Sequence, residues 1–445
     1  MTEQNRSVSL WQGTDYAWWL TSDTSGALCD SIVTFTIPLV VLSITGSPAT
    51  SSAVQGVWVA LQVLLMIPGG VLQDRFDRRA LMIWWGISGV ALCALALTSI
   101  NGSGISWPVL AVVACALGIR DGLLGNTSNA MLRGIVPDEQ LPKAMSLNSA
   151  RDSLIGLIGS PLSGLLLTLG RAVPFITSCV LSMVSTIATW RIRRYWKRES
   201  EPSTAVNDAE AHSPTAASIP QDSLRERISV RLVDAFSGLQ WLLTDGFQRR
   251  LTISAAIVVG AGNSFLLLMT MQISHGGSQV LTAGVFDSIA SVGMLLGAVA
   301  ASYLVNRVPS GLLIGGMFTI MAVGFVAASL SPLLTVKTAF ICLALSVLPV
   351  GNAALGGLSN ILIAKGKLGR IGAGRGLLQY GFYAVMVTVS GAVAEQYGYT
   401  AAGLSLAVCI AVAALLVLTD CNLVTFPTPD RWKQHIERCK ITRLE

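Results

Sequence analysis

Two aspartates stand in an apolar stretch where an ionised side chain is expensive. Asp30 falls near the middle of the run 16–44, and Asp23 lies seven residues earlier, two helical turns away on the same face. A carboxyl group that is enclosed at one moment and opened to water at another can take up a proton and release it. Asp30 is therefore the first candidate for proton binding, and the shallower Asp23 a candidate way station. A second apolar run, 107–131, carries Arg120 and Asp121 well inside it. A buried arginine must find a carboxylate or water. Asp121 lies about 100° further round the helix and is expected to pair with another helix. Polar or adaptable groups in other apolar runs are expected to line a central, partly apolar cavity suited to a small amphiphilic substrate. They are Met66, Asn263, Met269, Asn352, Gln379, Tyr380 and Tyr383, with Gln272, Asp287, Met271 and Met386 beside them.

These residues need a scaffold that crosses a lipid bilayer. Of the 445 residues, 52% are hydrophobic and 12% charged, a composition that excludes an ordinary water-soluble globule. Twelve runs are each close to the ~20 residues that span a bilayer. They are 16–44, 50–72, 80–100, 107–131, 145–169, 172–190, 251–273, 281–305, 310–331, 336–363, 375–396 and 399–419. The fold class is thus an all-α membrane protein with twelve transmembrane helices in two six-helix bundles. The sequence divides into an N-terminal bundle (1–198), a Ser-, Pro- and Ala-rich linker (199–222), an amphipathic juxtamembrane helix (223–249), a C-terminal bundle (250–419) and a tail (420–445). In the amphipathic segment Leu224, Ile228, Leu232, Phe236, Leu239 and Leu243 recur at helical spacing opposite Arg225, Arg227, Arg231 and Asp234, so it is expected to lie along the membrane surface.

The net charge of +6 is a matter of topology and not of nucleic acid. Lys and Arg fall almost wholly in alternate loops; Arg171 and Lys337 lie in the other set, and Arg120 and Arg151 inside spans. Basic loops resist translocation, so both termini are expected on the cytoplasmic side of the cell membrane. Tryptophans 18, 19, 84, 85, 107, 190 and 196 stand near span ends and read as interfacial anchors. Eight scattered cysteines show neither metal-ligand nor disulfide spacing, and no phosphate-binding loop or cleavable signal is evident. No cofactor, metal or catalytic chemistry is expected, and the chain is expected to act as a monomer.

Between the second and third runs lies GGVLQDRFDRR. Read as G-x-x-x-D-R-x-x-R-R it places Gly70, Asp74, Arg75, Arg78 and Arg79, and it closely resembles the signature loop between helices 2 and 3 of the major facilitator superfamily. Asp77 stands where that superfamily usually has glycine. A weaker copy recurs 232 residues later as Ser302, Asn306 and Arg307, in keeping with two parallel repeats. Asp74 is expected to pair with Arg78 and to sit at a neighbouring helix N-terminus, a latch formed when the cytoplasmic ends close. GLIGSPLSG, with Gly156, Gly159, Pro161 and Gly164, resembles the G-x-x-x-G-P-x-x-G signature of superfamily antiporters, Gly159 and Ser160 occupying its central positions imperfectly. Small residues there also let helices approach closely, and the proline bends the fifth span.

The segment 126–153 is similar to the connection between spans four and five in the branch of macrolide and siderophore exporters. Arg120 resembles the buried fourth-span arginine that communicates with proton binding in other superfamily transporters. The resemblance implies a proton-coupled antiporter that exports amphiphilic drugs such as macrolides by alternating access. A siderophore or lipid exporter is the alternative, and a nutrient uptake symporter a more distant one.

Overall fold

The computed structural model describes residues 15–101, 106–136, 138–193, 239–244, 246–275, 280–362, 368–432 and 434–435. The linker 199–222, residues 223–238 of the amphipathic segment, Trp196 and residues 433 and 436–445 of the tail lie outside them. Twelve described helices are long and apolar enough to cross a membrane. We number them α1 (Tyr16–Thr45), α2 (Pro48–Arg75), α3 (Arg78–Asn101), α4 (Trp107–Leu124), α5 (Leu141–Leu169), α6 (Val173–Arg191), α7 (Gly246–Ser274), α8 (Val280–Leu304), α9 (Ser310–Leu330), α10 (Leu334–Leu362), α11 (Leu368–Tyr397) and α12 (Tyr399–Leu418).

Two boundaries depart from hydropathy. The fourth run breaks after α4, and the chain continues as the short helix Thr127–Ile135. α11 starts seven residues before the apolar run, because a helix that leaves the bilayer keeps its backbone hydrogen bonds and so continues through the less apolar segment 368–374.

Helix packing repeats with a period of six. The pairs α1–α6, α2–α4, α3–α6 and α1–α5 recur as α7–α12, α8–α10, α9–α12 and α7–α11. The two halves meet along α2–α11 and α5–α8, which the same shift of six interchanges. Arg75 at the end of α2 and Arg307 just past the end of α8 occupy equivalent places, which gives the weak sequence repeat a structural counterpart.

One set of helix ends carries the arginine-rich loops; we call it the basic end. At the opposite end the halves are joined. Glu395, near the end of α11, accepts a hydrogen bond from Ala49 N–H at 3.0 Å and another from the Ser47 hydroxyl, so a carboxylate of one half caps the first turn of α2 in the other. Phe35, Leu39 and Leu42 of α1 pack with Met271 and Ala283 of the second half. On the α5–α8 seam a Cβ on Gly284 would come 2.5 Å from the Ser160 carbonyl oxygen, and one on Gly164 would come 2.8 Å from that of Val280. Pro161 has no N–H to offer the Leu157 carbonyl four residues back, and that oxygen instead accepts from the Ser288 hydroxyl across the seam at 2.7 Å.

The start of the tail is packed rather than loose. Trp432 is buried against Gly357 and donates to Ser310 Oγ at 3.1 Å, while the carbonyls of Phe426 and Pro427 accept from the N–H groups of Gly311 and Ser310. These are donors that the first turn of α9 leaves without intrahelical partners.

Candidate proton and substrate site

The deepest charged cluster joins α1 to α4. Arg120, whose side chain is 4% exposed, places Nη2 at 2.7 Å from Asp30 Oδ1 and 2.8 Å from Asp121 Oδ1. Its Nε also donates to Asp121 at 2.9 Å. Asp121 therefore pairs with its own neighbour in sequence, contrary to the expectation of a partner on another helix. Rotation by 100° separates the Cα–Cβ vectors, but the long guanidinium arm folds back to reach an adjacent carboxylate. The other Asp121 oxygen does reach a second helix, accepting from the Trp58 indole N–H at 3.3 Å.

Trp85 was expected at the membrane interface; instead its ring lies 4.3 Å from the Arg120 guanidinium carbon, a cation–π contact. Gly89 makes room for this arrangement, since a Cβ there would lie 3.0 Å from Arg120 Nη1. The Asp30 side chain remains 42% exposed and opens on the cavity.

A second cluster of the same design lies nearer the basic end. Arg151 places Nη2 2.6 Å from Asp23 and 2.6 Å from Asp152. Trp19, another expected anchor, is fully buried and donates to the Ser128 carbonyl. Trp18, Trp84, Trp107 and Trp190 are exposed, as a belt at the headgroups requires. A crevice of about 210 Å³ runs between the clusters and is lined by both Asp23 and Asp30.

The central cavity, about 540 Å³, extends from Gln55 and Asn263 at mid-depth to Gly70, Gln73 and Asn126 at the basic end. Met66, Tyr380 and Tyr383 line it, together with Asp30 and Asp121. An adjoining chamber of about 330 Å³ adds Phe35, Ser160 and Asp287. Of the expected lining residues, Met269, Met271, Gln272, Asn352, Gln379 and Met386 are not among those that line these two spaces. Met269 is 1% exposed inside the core of the second half. Asn352 is exposed on α10, and Gln379 sits one residue off the face that Tyr380 and Tyr383 share three positions apart. Gln272 accepts from Lys337 Nζ at 3.0 Å, away from the cavity. Sequence reasoning missed Gln55, Trp58 and Gln62. A run of α2 that looked uniformly apolar carries both glutamines on one face, seven residues apart.

The loop after α2 is tied within the first half. Arg78 is turned to the Ala130 carbonyl at 2.7 Å rather than to the Asp74 carboxylate as expected. Arg79 donates to the Trp190 carbonyl, one of the last of α6, at 2.5 Å. Asp77 Oδ1 accepts from Arg79 N–H at 2.9 Å, so the residue that departs from the superfamily pattern caps α3. The close approach belongs to Gly69, where a Cβ would come 2.2 Å from the Gly122 carbonyl oxygen; Gly70 lines the cavity. In the fifth span, Gly159 abuts Ser31 of α1, Gly164 abuts α8, and Gly156 faces open space.

Twelve membrane helices in two interchangeable halves around a cavity open at one end, with charge buried on its wall, define a membrane transporter. The chain belongs to the Major Facilitator Superfamily, whose sequence profile matches residues 24–383. Its structure is similar to that of a variant of the nucleoside transporter NupG, with a TM-score of 0.63 at 14% identity, covering 91% of this chain and 98% of that one. It is also similar to a bacterial homologue of the human lysosomal transporter Spinster in inward-facing form. The unoccupied state gives a TM-score of 0.64 at 16% identity over 95% of this chain and 98% of that one. The occupied state gives 0.66 at 15% over 94% and 97%. No curated protein matches the sequence. At these identities the likenesses bear on fold alone.

Proposed function

We propose that the protein is a proton-coupled antiporter of the cell membrane that exports amphiphilic drugs, of which macrolides are the type, by alternating access. The observation that carries this reading is the Asp30–Arg120–Asp121 cluster on the cavity wall. One guanidinium between two carboxylates leaves a negative charge over, and a proton on Asp30 would cancel it. Asp30 is residue 15 of the 30 in α1, so about 20 Å of helix separates it from either end, too far for an aspartate to snorkel. The crevice to the Asp23–Arg151 pair supplies a polar path from the basic end. With that end cytoplasmic, as the distribution of Lys and Arg favours, the state described is open inward. The Asp74–Arg78 latch then belongs to the opposite, outward-open state.

The test is substrate efflux driven by an imposed pH difference, with wild type, Asp30→Asn and Asp23→Asn reconstituted in liposomes at equal density. Asp30→Asn should abolish uphill transport while keeping downhill exchange and binding, and Asp23→Asn should slow the coupled flux. Undiminished uphill transport by Asp30→Asn would remove this residue from the mechanism. Substrate and protons moving in the same direction would replace antiport with symport.

A further inference from the structure

The chamber beyond Asp30 has an imbalance of chemistry that proton coupling leaves unused. Asp287 of α8 projects there, and its carboxylate accepts from the Ser160 hydroxyl across the seam between the halves. No described Lys, Arg or His pairs with it. Asp30 shares its arginine with Asp121, so with all groups ionised the walls of the chamber and cavity carry two negative charges in excess.

The neutral polar groups point to the same kind of ligand. Gln55 is 3% exposed and lines both spaces, yet its Oε1 has no hydrogen-bond partner. Asn263 spends its amide nitrogen on the Val259 carbonyl of its own helix at 2.8 Å, which leaves its oxygen for the cavity. A buried acceptor without a donor, as at Gln55, costs free energy, and its facing the same spaces as the Asn263 oxygen and the Asp287 carboxylate suits a ligand that brings donors. Phe35, Leu266 and Leu267 supply an apolar wall, and a chamber of about 330 Å³ is larger than a bare metal cation needs.

We propose that this chamber binds the protonated amine of an amphiphilic substrate, with Asp287 as the anionic anchor and Gln55 and Asn263 accepting from the ammonium N–H groups. The proposal rests on reading the cavity as the transport site, but not on proton coupling or on the direction of transport. It narrows the cargo from amphiphiles in general to those that carry a basic nitrogen.

Binding is to be measured on the full chain in lipid nanodiscs, with empty nanodiscs subtracted, using quinacrine, verapamil and propranolol as amine probes. Tetraphenylphosphonium serves as a cation without N–H donors, anilinonaphthalene sulfonate as an anion, and sodium chloride as the inorganic competitor. Wild type should bind the amines in preference to the anion. Asp287→Asn should weaken amine binding about tenfold to a hundredfold, the range for a charge-assisted contact, and Asp287→Glu should restore part of it. Gln55→Leu should weaken the amines several-fold and leave tetraphenylphosphonium unchanged; it also keeps the idea testable should Asp287→Asn fail to fold.

Absence of binding by all three amines, unchanged affinity in Asp287→Asn, or a preference for the anion would each overturn the proposal. Sodium that displaces the amines in wild type but not in Asp287→Asn would replace it with an inorganic cation site. Amine binding that is intact in a protein unable to use a pH gradient would sink the coupling and leave this site standing.

Discussion

Replacing Glu395 with glutamine should loosen one end of the molecule and leave the other as it is. The carboxylate holds the first turn of α2 from across the two halves through Ala49 N–H and the Ser47 hydroxyl, and both bonds exist only while that end is closed. Charge-assisted hydrogen bonds are worth about 1.5–3 kcal/mol each when shielded, but Glu395 is exposed, so about 1–2 kcal/mol for the pair is the appropriate scale. Glutamine keeps an acceptor and loses the charge, which places the expected loss near 1 kcal/mol. At about 1.4 kcal/mol per factor of ten, the balance between the two open states should shift roughly fivefold towards opening at the Glu395 end. Spin labels at positions 43 and 401, on opposite sides of that end, would report the shift as a larger long-distance fraction in pulsed electron–electron dipolar measurements. The wild-type protein should show the same shift at high salt, which screens the carboxylate. Distance distributions identical in wild type and Glu395→Gln at low salt would refute the reasoning and assign closure to the apolar packing of Phe35, Leu39 and Met271 alone.

Two further outcomes follow from local geometry. Gly159→Ala should cost about 1–3 kcal/mol and lower the melting temperature, because its Cβ would meet Ser31; Gly156→Ala, facing open space, should be neutral or slightly stabilising, and a melting curve of each separates the two glycines of one motif. Asp77→Ala should remove the α3 cap and cost about 1 kcal/mol of stability while Asp77→Ser retains most of it, as thermal unfolding in detergent would register.

The twelve spans were legible because a bilayer imposes one rule on every helix that crosses it, a minimum apolar length. What hydropathy could not see were departures from that rule, such as the break after Leu124 and the early start of α11. The ionic clusters were half legible. Asp23 and Asp30 share a face seven residues apart, and both buried arginines sit in Arg-Asp dipeptides, Arg120-Asp121 and Arg151-Asp152. The pairing of the two α1 acids with the two dipeptides needed the α1–α4 and α1–α5 contacts, which no local pattern encodes. Trp19 and Trp85 misled because an aromatic near a span end serves equally well as an anchor at the headgroups or as a lid on an arginine, and only the neighbouring helix decides which. Met269 misled for a related reason: methionine fills a core as readily as it lines a pocket.

Charge is distributed unevenly between the two halves, and this bears on how such a protein can change over time. The first half holds both arginine clusters, on α1, α4 and α5, whereas Asn263, Asp287, Tyr380 and Tyr383, which face the cavity from the second half, include a single acid. On the function and amine site proposed above, most of what would read the cargo stands apart in sequence from most of what would handle the proton. Substitutions in α7, α8 and α11 can retune selectivity while the energetics on α1 and α4 stay intact, so a lineage can explore new substrates without passing through uncoupled intermediates. Chimaeras that graft the second half of a relative onto this first half should inherit the relative's cargo and keep this chain's response to a pH gradient.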